Sequence, residues 1–224
     1  GRTKENIRRM NECSDDFYKK RMRVYLLENI MAPFMLVAGN LTTLAAFMDS
    51  YDTALFDTMV ENYRRQIAGL LEGGADLLAA ETLLYPQDAE AILTAAELEG
   101  AETVMYSFTM QPDGSFFSGM DAGKTLRELE EAGAAAVGFN CVAADMMTPG
   151  LVSKLRRQVK GPLICKPNAG IPVIQPGNVV EYPMLPDEFA DIVADCHAMG
   201  AKILGGCCGT APEYIAAVKE RVCK

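Results

Sequence analysis

The chain has 224 residues, half of them apolar and 23% charged, which suits a sizeable buried core in one large domain or two small ones and argues against a disordered chain. Its net charge is −9, and the basic residues are scattered apart from the run KKRMR at 19–23, which argues against a nucleic-acid surface. No apolar run approaches the ~20 residues that span a bilayer, and the polar start GRTKENIRRM has no signal-peptide core, so a cytoplasmic protein is expected.

One or two helices are expected before residue 31, then a strand at 33–40 (PFMLVAGN) and a helix near 52–72. From there one pattern recurs: a helical stretch, a Gly-Ala pair, and a short apolar run closed by small or polar residues. It appears at EGGADLLAAET (72–82), EGAETVMYSFT (99–109), EAGAAAVGFNC (131–141) and AMGAKILGGCC (198–208). Glycine just past a helix supplies a left-handed cap, and the apolar run suits a strand buried on both faces. GPLICKPN (161–168) brings the strands to six, and helices near 86–98, 121–132, 145–159, 186–199 and 211–222 alternate with them. Strict alternation predicts a parallel sheet, doubly wound or closed into a barrel.

Polar or reactive residues close almost every strand: Asn40, Glu81 and Thr82, Asn140 and Cys141, Lys166 and Asn168, Cys207 and Cys208. A (β/α)8 TIM-type barrel gathers all its strand ends around one site, whereas an open sheet offers mainly its switch point, so the α/β barrel is the expected fold class. Six strands are two short of eight, and the chain starts in helix-like sequence. The expectation is one domain over 1–224 lacking the first two barrel strands, through truncation or because a partner segment supplies them. PDGSFFSG (112–119), turning at Asp113 and Gly114, and the proline-rich stretch 167–186 are both placed over the barrel mouth. The thirteen methionines read as core packing.

Seven widely spaced cysteines in a long, core-rich chain point to reduced thiols. The adjacent pair Cys207 and Cys208 is a poor disulfide, because neighbouring Cα atoms are ~3.8 Å apart and a relaxed bridge wants about 5.5 Å. As thiolates they suit zinc, whose catalytic sites use three protein ligands and keep one position open. Cys141 is the only other cysteine that ends a predicted strand. Cys13, Cys196 and Cys223 fall in predicted helices and Cys165 lies inside its strand, so these read as plain thiols. Spacing alone leaves a three-thiolate site and separate thiols as equal alternatives. TAPE (210–213) reads as a capping box, with Thr210 as N-cap, Pro212 in the first turn and Glu213 reaching back. That helix would aim its N-terminal dipole at the cysteines and favour thiolate.

GFNC followed by GGCCGT, with ET closing an earlier strand and PNAG between them, resembles the homocysteine S-methyltransferase family of zinc-dependent barrels over essentially the whole chain. The resemblance implies that Cys141, Cys207 and Cys208 hold zinc and that the sulfur of homocysteine is the fourth ligand. It implies that Glu81 binds the substrate amino group with Thr82 beside it, and that the Asn168 amide occupies the open zinc position before substrate arrives. Within the family, PNAG with GGCCGT leans towards the cobalamin-dependent members. A methyl donor such as methylcobalamin would then come from a corrinoid or folate-binding partner domain or protein, with betaine and S-methylmethionine as alternative donors. The departure lies at the front, where the family's first two strands are missing. An open wall, with weak zinc binding or association into an oligomer through exposed strand edges, is the expected consequence.

Three rival readings stand beside it, two of them from other residues. DCHAMG (195–200) spells D-x-H-x-x-G, by which corrinoid proteins present a histidine to cobalt, but His197 lies in a predicted helix rather than in a loop after a strand. Lys166 sits where barrel aldolases place a Schiff-base lysine, which makes a lyase the alternative enzyme. A non-enzymatic module with structural zinc is the third.

Overall fold

The computed structural model describes residues 36–44, 53–146 and 149–223. The expected helices before residue 31, the start of the 33–40 strand, Cys13 and the basic run at 19–23 lie outside the described residues. In chain order the structure runs β1 Ala38–Thr42, α1 Thr53–Glu72, β2 Leu77–Leu83, α2 Pro86–Glu99, β3 Val104–Phe108, α3 Ala122–Glu131 and β4 Ala136–Ala143. A 3-10 turn, Ala144–Met146, leads to α4 Pro149–Arg156 and β5 Leu163–Asn168. Then come a hairpin of β6 Val173–Gln175 and β7 Val179–Glu181, α5 Pro186–Ala198, β8 Ile203–Leu204 and α6 Pro212–Val222.

Six strands form one parallel sheet in the order β1-β2-β3-β4-β5-β8, and the helices alternate with them. This is the expected α/β class. Among the described residues the barrel does not close, and β1 and β8 are its edges. The punctuation works as read. Pro86 opens α2, and Gly100 ends it at φ 72° with its N–H turned onto the Ala96 and Glu97 carbonyls. β4 is buried without interruption from Ala136 to Asn140, as a strand covered on both faces should be.

Three expectations need correction. β1 runs to Thr42, so Asn40 does not close the strand but sits mid-strand on its exposed face. An edge strand covered on one side alternates with period two: Gly39 and Leu41 face α1, where a Cβ on Gly39 would meet Leu70 at 3.0 Å. The helix expected over 145–159 is the 3-10 turn followed by a shorter α4. β8 is only two residues long, so Cys207 and Cys208 lie in the turn beyond it rather than at its end. PDGSFFSG packs as an ordinary loop, turning at Asp113 and Gly114 as read. Asp113 accepts hydrogen bonds from Ser115 N and Oγ, Lys154 of α4 donates to the Asp113 carbonyl, and Phe116 is buried against Phe108. Methionine is likewise split, with Met59, Met110 and Met184 buried and Met120 and Met146 exposed.

Two apolar clusters hold the frame. The larger packs Tyr63, Tyr106, Phe108, Phe116 and Phe139 between the sheet and its helices. The smaller joins α5 and α6 to the chain after β5 through Phe189, Tyr214, Met184 and Val218, with the Phe189 and Tyr214 rings edge-on at 5.5 Å. Arg221 pins α6 to α5 through Asp191 and Asp187. At the other end, the buried Asp88 accepts from Thr43 Oγ1 at 2.5 Å, Leu44 N at 2.8 Å and the Tyr63 hydroxyl at 2.8 Å. It thereby ties the end of β1 to α1 and α2. No helix among the described residues is long and apolar enough to cross a membrane. Because all six sheet strands are parallel, their C-terminal ends open on one side, where the chemistry-bearing residues collect.

Candidate metal centre

Two strands reach this side with the same irregularity. The register of β2 against β3 shifts between Ala80 and Leu83, and that of β4 against β5 shifts between Asn140 and Ala143. The residues at the shifts, Thr82 and Cys141, have φ of 57° and 60°, in the left-handed region that β-branched and bulky residues rarely enter. In a regular strand, neighbours point to opposite faces; a bulge lets two successive side chains reach the same side. Glu81 and Thr82 therefore both face the site, as do Asn140 and Cys141, and each pair makes contacts there.

Asn140 is 1% exposed and links three parts of the site. Its Oδ1 accepts from Thr82 N at 2.9 Å, and its Nδ2 donates to Thr82 Oγ1 at 2.7 Å and to Cys207 Sγ at 3.7 Å. Cys207 and Cys208 are held by the end of β5. Cys207 N donates to Pro167 O at 2.8 Å, Ala169 N to Cys208 O at 3.0 Å, and Cys208 N to Asn168 Oδ1 at 3.0 Å. PNAG and GGCCGT, 40 residues apart, are thus stitched into one loop pair.

The capping box does not form. Thr210 Oγ1 donates to the Cys207 carbonyl at 2.8 Å, closing the cysteine turn, and the N-cap is Ala211 without a side-chain cap. Pro212 is in the first turn as expected, and Glu213 makes no return bond to the cap. The threonine side chain stands over Gly206, where a Cβ would lie 2.4 Å from Oγ1. Gly209 follows at φ 77° beneath the Tyr182 ring, which leaves no room for a side chain.

The result is a cluster of three sulfurs. Cys141 Sγ lies 3.7 Å from Cys208 Sγ, Cys207 Sγ lies 4.0 Å from Cys208 Sγ, and all three fall within 4.8 Å of one another. Three thiolates at ~2.3 Å from one tetrahedral ion stand about 3.8 Å apart, so the donor set fits a single metal ion with one position left over. Protonation is shared unevenly. Hydrogen bonds from Cys141, and also from Asn140 and Cys208, bring the Cys207 thiol down to about 6 against the opposing effect of burial. Cys141 is held well above the usual thiol range because it keeps its proton and donates it in a hydrogen bond to Cys207, and because it is partly buried. Tyr182 is also pushed up, first by desolvation and then by Cys208 beside it.

Of the residues singled out in the sequence, Cys141, Cys207, Cys208, Thr82 and Asn168 meet at this cluster. Glu81 stands beside it, ion-paired with Lys166. Asn140, picked out in the sequence as a strand-end residue, belongs to the site as its hydrogen-bonding hub; Tyr182 belongs to it as well, and nothing in the proline-rich stretch singles it out. The other thiols among the described residues lie apart from the cluster: Cys165 and Cys196 are buried side by side, and Cys223 is exposed just past α6. His197 lies in α5 with its Nδ1 2.9 Å from Ala201 O, a helix-end contact far from what a cobalt ligand on a loop requires. Lys166 meets a carboxylate rather than the apolar pocket that activates a Schiff-base lysine, which leaves the lyase without support.

Known proteins resemble this chain in sequence and fold. A family model described as Homocysteine S-methyltransferase matches residues 3–222. The methionine synthase of Mycobacterium tuberculosis is 31% identical over 166 residues, 71% of this chain, and that of Mycobacterium leprae is 29% identical over 168 residues, 72% of this chain. The chain spans 14% of the length of each of these curated relatives. The apo form of the Escherichia coli homocysteine methyltransferase MmuM aligns with a TM-score of 0.67 at 28% identity, covering 92% of this chain and 70% of that one. Its metallated form aligns at 0.68 and 27%, covering 92% and 68%.

Proposed function

Because the chain belongs to the homocysteine S-methyltransferase family, we propose that residues 1–224 act as one homocysteine-binding domain that transfers a methyl group to the substrate sulfur, giving methionine. The observation that carries this reading is the cluster of Cys141, Cys207 and Cys208, whose spacing matches three thiolates on one ion. Zinc is the ion proposed, since a soft, redox-inert metal suits three thiolates; once bound, it would keep the substrate thiol deprotonated and nucleophilic at neutral pH.

The chain's own residues set up the transfer. Asn140 and the turn closed by Thr210 hold the sulfurs in place before any substrate arrives, which removes a reorganisation cost from binding. Thr82 is locked by Asn140 and forms the wall next to Glu81, whose carboxylate receives the substrate ammonium. Asn168 fixes the turn that carries Cys208 by accepting from the Cys208 backbone N–H, and its amide would lie beside the metal when the ion is bound. The substrate sulfur then attacks the donor methyl carbon in line. A sulfur–carbon bond forms while the bond from that carbon to the donor breaks, its electron pair leaving with the donor. Methylcobalamin, carried by a corrinoid or folate-binding partner domain, is the preferred donor, in keeping with the resemblance to methionine synthases; the location proposed is the cytoplasm.

The test loads the protein with zinc and offers methylcobalamin, betaine and S-methylmethionine in turn with homocysteine. Methionine formation with one donor, lost in Cys207→Ala, supports the reading. Tight zinc binding with no transfer from any donor and no change of coordination on adding homocysteine would favour a structural metal instead.

A further inference from the structure

The Lys166–Glu81 ion pair spans three strand positions. Glu81 is on β2 and Lys166 on β5, with β3 and β4 between them in the sheet. Their side chains therefore meet across the concave face, roofing a small cavity bounded by Ala79, Met105, Ser107, Ile164 and Ile203. Both are largely shielded, with 21% and 27% of their side chains exposed. The pair adjoins the sulfur cluster on both sides. Thr82, next to Glu81, shares Asn140 with Cys207, and the Lys166 stem packs on Gly205, two residues before Cys207.

We infer that Lys166 is a substrate-specificity residue: it receives the α-carboxylate of the amino-acid thiol while Glu81 receives the α-ammonium. The inference rests on the proposed function and adds to it the second half of the recognition. A shielded pair of opposite charges is costly to open for a ligand that satisfies only one of them. An α-amino acid carries both charges on one carbon and is neutral overall. It enters between carboxylate and ammonium so that each old contact is replaced by a charge-assisted one and no charge is left bare. A thiol lacking the carboxylate competes with Lys166 for Glu81, and a thiol lacking the ammonium brings an anion towards Glu81. The pair in the resting structure thus acts as a filter for zwitterions.

The test replaces zinc with cobalt(II) and follows the sulfur-to-metal charge-transfer band as three thiols are titrated. These are homocysteine, 3-aminopropanethiol, which lacks the carboxylate, and 4-mercaptobutyrate, which lacks the ammonium. The unaltered protein is expected to prefer homocysteine to either by about 30-fold or more. In Lys166→Met the preference over 3-aminopropanethiol should fall below about fivefold while 4-mercaptobutyrate stays weak, and Lys166→Arg should restore much of the preference. Glu81→Gln should instead improve 4-mercaptobutyrate relative to homocysteine. If Lys166→Met keeps the original preference over 3-aminopropanethiol, the inference is wrong and the proposed function stands. If no thiol changes the band in the unaltered protein, both fall.

Discussion

Asn140→Ala tests how far one buried amide organises the metal centre. The substitution removes the acceptor of Thr82 N, the donor to Thr82 Oγ1 and the donor to Cys207 Sγ. Each neutral bond is worth about 1 kcal/mol net, and a half-buried N–H left without an acceptor costs about 1–3 kcal/mol, so the fold should lose about 2–3 kcal/mol. The N–H to sulfur contact is long at 3.7 Å, and its loss should weaken zinc binding about tenfold, the low end for a group that supports a metal ligand. Asn140→Asp separates the two effects. It keeps the acceptor for Thr82 N but turns an anionic oxygen towards Cys207, so stability should recover while zinc affinity falls by about 100-fold. Urea unfolding reads the first quantity, and competition with a chromophoric chelator at neutral pH reads the second. Zinc affinity within twofold of the parent in both variants, with both folded, would show that Asn140 has no part in holding the sulfurs.

Gly209→Ala should collapse zinc binding well beyond the ~1 kcal/mol of a left-handed alanine, because its Cβ would lie 2.2 Å from the Tyr182 ring; trimming that ring with Tyr182→Ala in the same chain should recover part of the loss in the same chelator assay. Asp88→Ala should cost about 3 kcal/mol in urea unfolding, since it strips partners from Thr43, Leu44 and Tyr63, yet leave zinc affinity per folded molecule unchanged. Tyr106→Phe should be neutral or stabilising by up to about 1 kcal/mol, because the Tyr106 hydroxyl is buried without a hydrogen-bond partner among the described residues; a loss of stability would reveal a partner.

Local signals in the sequence carried much of the fold. Alternating apolar runs and Gly-Ala caps place α2, α3, α5 and α6 within a residue or two of their observed limits, because capping and burial act over a single turn. The pair Cys207 and Cys208 is legible for a chemical reason, since adjacent thiols make a poor disulfide, but spacing alone leaves their grouping with Cys141 open and only the family resemblance implies it. What escapes is whatever depends on register or on contacts between distant segments. The bulges that turn Thr82 and Cys141 inward arise from pairing with β3 and β5, which no single strand encodes. Thr210 fits the capping pattern in its sequence, but its hydroxyl donates to the Cys207 carbonyl and the N-cap position falls on Ala211. Lys166 and Glu81, 85 residues apart, meet only because the sheet curves, and Asn40 lies mid-strand because pairing with β2 carries β1 on to Thr42.

The central claim is that Cys141, Cys207 and Cys208 hold one zinc ion with a position free for the substrate sulfur. X-ray absorption at the zinc edge tests it most directly. The zinc-loaded protein should show three sulfurs at ~2.3 Å and one lighter donor, becoming four sulfurs when homocysteine is added. A first shell with fewer than three sulfurs, or one that homocysteine leaves unchanged, would contradict it.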